Sequence, residues 1–157
     1  MRFSVQREAL LRPLQQVVGV VERRQTLPVL ANVLIRVEGE SASFTTTDLE
    51  VELSSRMAVD GAQAGEVTVP ARKLFDIVRA LPDGSKIELK QEGERVKLSS
   101  GRSRYTLATL SASEFPATES GDVQDRIEID QGTFKKLLER SAFAMAVQDV
   151  RYYLNGL

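Results

Sequence analysis

Three carboxylates alternate along one segment of the sequence, Asp48, Glu50 and Glu52. Alternate residues of a β-strand share a face, so a strand here would gather the carboxylates as a metal-dependent nuclease does. No histidine occurs in the 157 residues, and no further carboxylate motif accompanies the three. A solvated strand face is therefore the favoured interpretation, and a metal-dependent nuclease is kept as the enzyme alternative.

A second constellation places a cation beside two aromatic residues, in the sequence Arg151, Tyr152, Tyr153. Aromatic rings can stack on the bases of single-stranded nucleic acid. Adjacent residues of a strand point to opposite faces, so an ordered strand would expose one ring on each side. The sequence leaves a DNA contact and a buried core tyrosine equally open.

The composition removes most catalytic chemistry. The chain has no cysteine and no histidine, which excludes disulfides, thiolate nucleophiles, histidine bases and zinc sites from this segment. No catalytic residue, metal ligand or cofactor is assigned. No apolar run approaches the ~20 residues that cross a bilayer, and the N-terminus alternates apolar with polar residues, unlike a secretory signal. We therefore expect a cytoplasmic protein with no membrane partner.

Hydrophobic periodicity indicates one pattern of elements used twice in the first 110 residues. The first copy has a strand at 2–6, an amphipathic helix carrying Leu10 to Val21, and strands at about 32–38, 41–47 and 49–59. The second has a strand at 66–69, a helix at 71–81, and strands at about 86–91, 94–99 and 103–110. Pro13 predicts a kink in the first helix or a start near residue 8. Two βαβββ units predict an α+β domain with both helices on one side of antiparallel sheets.

A third copy of the pattern begins after a polar stretch. IEID at 127–130 parallels FSVQ at 3–6, and YLNGL at 153–157 parallels LANVL at 30–34. We predict a first domain at 1–112, a linker at 113–125, and at 126–157 the beginning of a second, incomplete domain that reaches its second strand. An incomplete domain leaves the apolar face of its helix uncovered, so we expect 126–157 to be poorly anchored or paired with another molecule.

Charge is distributed unevenly along the chain. The helical regions 7–24, 71–81 and 131–145 carry ten Lys or Arg against four Asp or Glu, although the net charge of the chain is -1. We therefore expect positive helices and negative strands. The predicted outer helix faces carry Ala9, Arg12, Gln16 and Gly19; Arg72, Asp76 and Arg79; and Lys135, Lys136 and Arg140. Sparse cations suit phosphate contact without base reading. Solvated helix faces on a non-enzymatic protein-interaction module are the alternative.

Several segments in order along the whole chain resemble one family, the bacterial DNA polymerase III beta subunit or DNA sliding clamp. They are FSVQREALLRPLQQV at 3–17, TLP at 26–28, TDLE at 47–50, VPARK at 69–73, SGRSR at 100–104 and QDVRYYLNG at 148–156. The resemblance implies the DNA-clamp fold, with two βαβββ units per domain. It also implies a homodimeric ring of six domains that encircles duplex DNA without sequence specificity, acts as a processivity factor and has no catalytic activity.

The resemblance also implies roles for individual residues. Those expected to contact DNA are Arg24, Arg72, Arg79, Gln148, Tyr152 and Tyr153. Those expected at the subunit interface are Lys73, Arg102, Arg104, Tyr105 and Leu107, where the family often has phenylalanine in place of Tyr105. Arg151 and Leu154 match one wall of a cleft for partner peptides. The implied partners are double-stranded DNA, DNA polymerase III and other polymerases, the clamp loader, repair proteins with clamp-binding peptides, and a second full-length copy.

Overall fold

The computed structural model describes residues 1–21, 27–116, 126–147 and 149–157. The chain divides into two compact units, Met1–Glu119 and Ser120–Leu157. None of the described helices is both long and apolar enough to span a membrane.

The first unit follows the predicted order of strands and helices. Its elements are β1 (Arg2–Gln6), α1 (Arg7–Val17), β2 (Asn32–Glu38), β3 (Ser41–Thr47), β4 (Glu52–Ala58), β5 (Asp60–Gln63), β6 (Gly65–Pro70), α2 (Ala71–Ala80), β7 (Lys86–Glu92), β8 (Arg95–Ser100) and β9 (Ser103–Ala108). The α+β prediction is confirmed. The short β5 was not predicted, because its sequence DGAQ has no apolar alternation.

The strands form two antiparallel sheets that exchange a strand between the two halves of the unit. Sheet A has the order β5-β1-β7-β8-β9, and sheet B has the order β4-β3-β2-β6. The first strand of the chain therefore pairs with the second half, and β6 of the second half pairs with β2 of the first. Neither half builds its sheet alone.

One hydrophobic core joins the sheets and helices. Phe3 on β1 and Phe44 on β3 are fully buried and meet edge to face, with ring centroids 6.5 Å apart. Leu10 and Leu14 of α1 enter the same core, as the helical spacing predicted. Pro13 is a buried residue inside α1, which begins at Arg7, within one residue of the predicted start. Because proline has no N–H, Pro13 cannot donate to the carbonyl of Ala9, a residue that is exposed.

The two helices of the first unit run antiparallel and are tied at both ends. At one end, Arg7 of α1 donates from Nε to the carbonyl of Val78 at 3.1 Å and from Nη2 to the carbonyl of Arg79 at 2.8 Å. Its Nη1 also pairs with Asp83 at 2.5 Å, and only 12% of the Arg7 side chain is exposed. A cation on the last carbonyls of α2 complements the helix dipole.

We expect Arg7→Ala to lower the free energy of unfolding by about 2 to 3 kcal/mol, because it leaves the terminal carbonyls of α2 without a charged donor. Arg2→Ala is the matched control, since Arg2 pairs with Glu88 at the surface and such pairs contribute about 0 to 1 kcal/mol. Urea unfolding followed by circular dichroism measures both. Equal losses for the two variants would contradict the role given to Arg7.

A carboxylate on sheet A lies between two lysines. Glu92 accepts from Lys90 at 2.9 Å and from Lys97 at 2.5 Å. The hydrogen bond from Lys97, followed by that from Lys90, lowers the pKa of Glu92 from 4.5 to about 2. Because the pKa is lower in the folded chain, the stabilisation is complete above the unfolded pKa and is lost as pH falls towards 2.

An NMR titration of the Glu92 carboxyl should therefore have its midpoint near 2. In Lys97→Gln the midpoint should rise towards the usual glutamate range, because the largest cause of the shift is removed. Lys86→Gln, which removes an exposed cation that is not paired with Glu92, is the control. An unchanged midpoint in Lys97→Gln would show that the contact with Lys97 does not lower the pKa of Glu92.

The second unit contains α3 (Gln131–Ser141), which begins after Asp130. The Asp130 carboxylate accepts from the Thr133 N–H at 2.8 Å and so caps the helix. Among the described residues, the strand predicted at 127–130 and the second strand predicted near the end of the chain do not form. In the described part of this unit neither segment has a hydrogen-bonded strand neighbour, and Tyr152–Leu154 forms a single 3-10 turn. The apolar side chains Phe134 and Leu137 of α3 are exposed.

Candidate nucleic-acid interface

The outer faces of α1 and α2 carry the first group of candidate residues. Both helices pack against each other and bury their inner faces in one core, so their outer faces are neighbouring surfaces. The predicted outer residues are all exposed: Ala9, Arg12, Gln16 and Gly19 from the α1 region, and Arg72, Asp76 and Arg79 from α2. Three arginines among small and polar side chains form a surface suited to phosphates.

The arginines of α2 are held in place by local contacts. The guanidinium of Arg72 donates to the carbonyl of Val21, beyond the end of α1. The guanidinium of Arg79 lies over the ring of Phe75, 5.3 Å from its centroid, and pairs with Asp76 at 2.9 Å. Asp76 offsets part of the charge of Arg79, which favours weak rather than tight anion contact. The interface candidate Lys73 is exposed on the same helix.

The sequence predicted positive helices and negative strands, and the prediction of negative strands is wrong. The strands of sheet A carry six Lys or Arg against three Asp or Glu, and those of sheet B carry two against three. The strands as a group are therefore positive. The excess of carboxylates lies in the turns and connections, which the charge of the sequence outside the helices does not separate from the strands.

In the second unit, the cations of α3 and a pair of tyrosines remain accessible. Lys135, Lys136 and Arg140 are exposed. Tyr152 and Tyr153 are 82% and 70% exposed, and their rings meet edge to face with centroids 6.0 Å apart. In a 3-10 turn successive side chains lie about 120° apart instead of on opposite faces. Both rings are consequently open to solvent, unlike in the strand that was expected.

The neighbouring cleft candidates have local partners. Arg151 forms a forked contact with Asp149, with Nε and Nη2 at 3.0 and 2.9 Å from the two carboxylate oxygens. The hydrogen bond from the Arg151 side chain is the main reason that the pKa of Asp149 is lowered. Leu154 is half-buried, and its carbonyl accepts from the Ala146 N–H at 2.8 Å. Of the predicted DNA contacts, Arg24 and Gln148 lie outside the described residues.

The remaining interface candidates lie at β9, an edge strand of sheet A. Arg102 and Arg104 are exposed, and Arg104 donates to the carbonyls of Gly101 and Ser103 at 2.8 and 3.0 Å. Tyr105 is half-buried against the core, and Leu107 is only 5% exposed within it. The side chain of Leu107 is therefore part of this unit's own core. The edge backbone and the arginines are the features that a partner strand could reach.

The carboxylate trio of the sequence does not share a strand face. Asp48 and Glu50 lie in the turn between β3 and β4, and the Asp48 carboxylate accepts from the N–H groups of Glu50 and Val51 at 2.9 and 2.7 Å. The bond from Val51 is the main cause that lowers the pKa of Asp48. Leu49 has a positive φ of 83° and closes the turn. The expected strand face is therefore wrong, because Asp48 holds a turn.

Comparison with known proteins gives the family. Residues 1–119 match the model of the DNA polymerase III beta subunit, N-terminal domain. The chain belongs to the DNA polymerase III beta subunit family. It is 55% identical to the beta sliding clamp of Pseudomonas aeruginosa and 49% identical to that of Escherichia coli K12, covering the whole of this chain and 43% of each relative.

The fold is that of the same family. The crystal structure of the DNA polymerase III subunit beta from Pseudomonas aeruginosa superposes with a TM-score of 0.95 at 55% identity, over 99% of this chain and 43% of that one. The resemblance to this family and the clamp fold expected from the sequence are confirmed. The chain spans less than half the length of the curated relatives it matches.

Proposed function

We propose that the chain is part of a DNA sliding clamp, the processivity factor that encircles duplex DNA and holds the replicative polymerase on it. The proposal rests mainly on the match of its entire length, at 55% identity, to a beta sliding clamp. In this role it acts in the cytoplasm, binds no cofactor and catalyses no reaction. Its contribution is mechanical, since a closed ring stays on DNA without gripping it.

The outer surface of α1 and α2 suits this task. A clamp must tolerate every base sequence, and contacts to phosphates carry no sequence information. Arg12, Arg72 and Arg79 supply a small number of cations, and Asp76 reduces the charge of Arg79. Fixed guanidinium groups can exchange one phosphate for the next with little rearrangement. We include Arg24 and Gln148 among the DNA contacts, on the family resemblance alone.

The same proposal covers domains and partners. We assign 1–112 to a first clamp domain, 113–125 to a linker and 126–157 to the beginning of a second domain. Two full-length copies would pair through β9, whose free edge can accept a strand from the partner. Lys73, Arg102 and Arg104 would flank that junction. Tyr105 and Leu107 would lie on the core-facing side of the same strand.

The second unit would contribute in two ways. Exposed Tyr152 and Tyr153 would contact DNA through their rings. Arg151 and Leu154 would form one wall of a cleft for linear peptides of DNA polymerase III, other polymerases, the clamp loader and repair proteins. The ion pair between Arg151 and Asp149 would hold the Arg151 side chain in place at that wall.

We expect the chain to bind a short duplex weakly, with no preference among sequences and with an affinity that falls steeply as salt rises. Fluorescence anisotropy over a series of salt concentrations measures the slope of log K against log salt. Arg72→Gln with Arg79→Gln should reduce that slope by up to about 2, since each phosphate contact contributes roughly 0.9. Binding should weaken equally for unrelated duplex sequences.

Arg36→Gln with Arg56→Gln is the matched control, because it removes two exposed cations from sheet B. It should leave the slope close to that of the unaltered chain. A chain without any salt-dependent affinity for duplex DNA would instead favour a protein-interaction module of similar α+β build. An unaltered slope in the α2 variant would remove Arg72 and Arg79 from the DNA-contacting surface.

A further inference from the structure

The solvent side of sheet A carries an unexpected concentration of positive charge. Its inner side holds core residues such as Phe3 and Leu89, so the alternate residues face solvent. The cations on this outer side, which we call the basic sheet face, are Arg2, Lys86, Lys90, Arg95, Lys97 and Arg104. The carboxylates on the same side are Asp60, Glu88 and Glu92. The face is therefore positive although the chain as a whole is not.

The register of the strands places like charges directly opposite one another. Arg2 pairs with Lys90 across β1 and β7, and Lys90 pairs with Lys97 across β7 and β8. Like charges at directly opposed positions destabilise a sheet. Glu92, which contacts both lysines, offsets part of the repulsion. Folding alone gives no reason for such a row, whereas an anionic partner would turn the repulsion into attraction.

A hollow of about 350 Å³ opens at one end of the basic sheet face. It is lined by Arg2, Ser4, Lys86, Glu88, Ser99, Gly101 and Arg104. Glu88 is already paired with Arg2 at 2.5 Å, so the charges of Lys86 and Arg104 are not offset by a carboxylate of the lining. The hydroxyls of Ser4 and Ser99 add hydrogen-bond donors of the kind that contact phosphate oxygens.

We infer that the basic sheet face is a second contact surface for the phosphate backbone of duplex DNA, separate from the outer faces of α1 and α2. Along β7 it extends for roughly 20 Å, a length over which one DNA strand presents about six phosphates. This inference goes beyond the proposed function, in which DNA meets the helices.

The chemistry of the face favours a duplex over other anionic partners. Among the strands of sheet A, all of which the structure describes, no aromatic ring or large apolar side chain is exposed on the solvent side. Single-stranded nucleic acid is bound by stacking on aromatic rings, which this side lacks. Protein partners are usually anchored by aromatic or apolar residues at the centre of the interface. A sheet face of cations and hydroxyls therefore favours contacts with phosphates.

The test uses the full 157-residue chain and a double variant, Lys90→Gln with Lys97→Gln. Both side chains are about half exposed, so the fold should be retained, and circular dichroism checks this. We expect the affinity for a short duplex at low salt to fall roughly three- to tenfold, and the salt slope to fall by up to about 2. The control is Arg36→Gln with Arg56→Gln, which makes the same change of charge on sheet B and should alter affinity less.

Combination with Arg72→Gln and Arg79→Gln separates this inference from the proposed function. If the two surfaces bind duplexes separately, the quadruple variant should bind more weakly than either double variant, because each double variant keeps one surface intact. Loss in the helix variant without loss in the sheet variant would overturn the second surface and leave the proposed function standing. Loss only in the sheet variant would support the second surface and count against the helix contacts. The sheet variant is also tested on single-stranded DNA of equal length. A larger loss of affinity for the single strand than for the duplex would also overturn the inference.

Discussion

The exchange of strands between the two halves of the first unit is the constraint on which the other features depend. β1, with β5 beside it, joins the sheet of the second half, and β6 joins the sheet of the first. Each half therefore lacks a strand until the other is in place, and burial of Phe3 against Phe44 accompanies that pairing. Because the sheets form together over one core, the two helices must lie side by side upon it. The exposed faces of α1 and α2 are a consequence of this arrangement.

Polar contacts at the helix ends then fix the position of α1 along α2, which packing of the core alone would not fix. Arg7 ties the start of α1 to the last carbonyls of α2, and Arg72 ties the start of α2 to the carbonyl of Val21. These contacts hold two antiparallel helices in register. They also differ in kind, since Arg7 is nearly buried and structural, whereas Arg72 remains exposed enough to meet an anion.

Periodicity in the sequence predicted most elements of the first unit, because each buried face leaves a local pattern of apolar residues. β2 and β3 have the expected bounds, and α2 ends one residue early. Periodicity does not identify pairing partners, so the exchange of β1 and β6 was not foreseen. It also failed at Asp48, where alternating carboxylates suggested a strand but the side chain bonds the backbone of a turn. At 127–130 the alternation is present, but the described residues supply no neighbouring strand.

For the site residues, the sequence predicted which side chains are exposed but not which of them become neighbours in the fold. Exposure of Arg72 and Arg79 followed from helical spacing, since both lie opposite the apolar stripe of α2. Their roles came from family resemblance, as did the place of Leu107 at a subunit interface, and these roles stay predictions. The basic sheet face was hidden from the sequence, because its members become neighbours only through strand register. Arg2 and Lys97 are distant in the chain but flank Lys90 in the sheet. Local charge, set by that register, decides where an anion can bind on a chain of net charge -1.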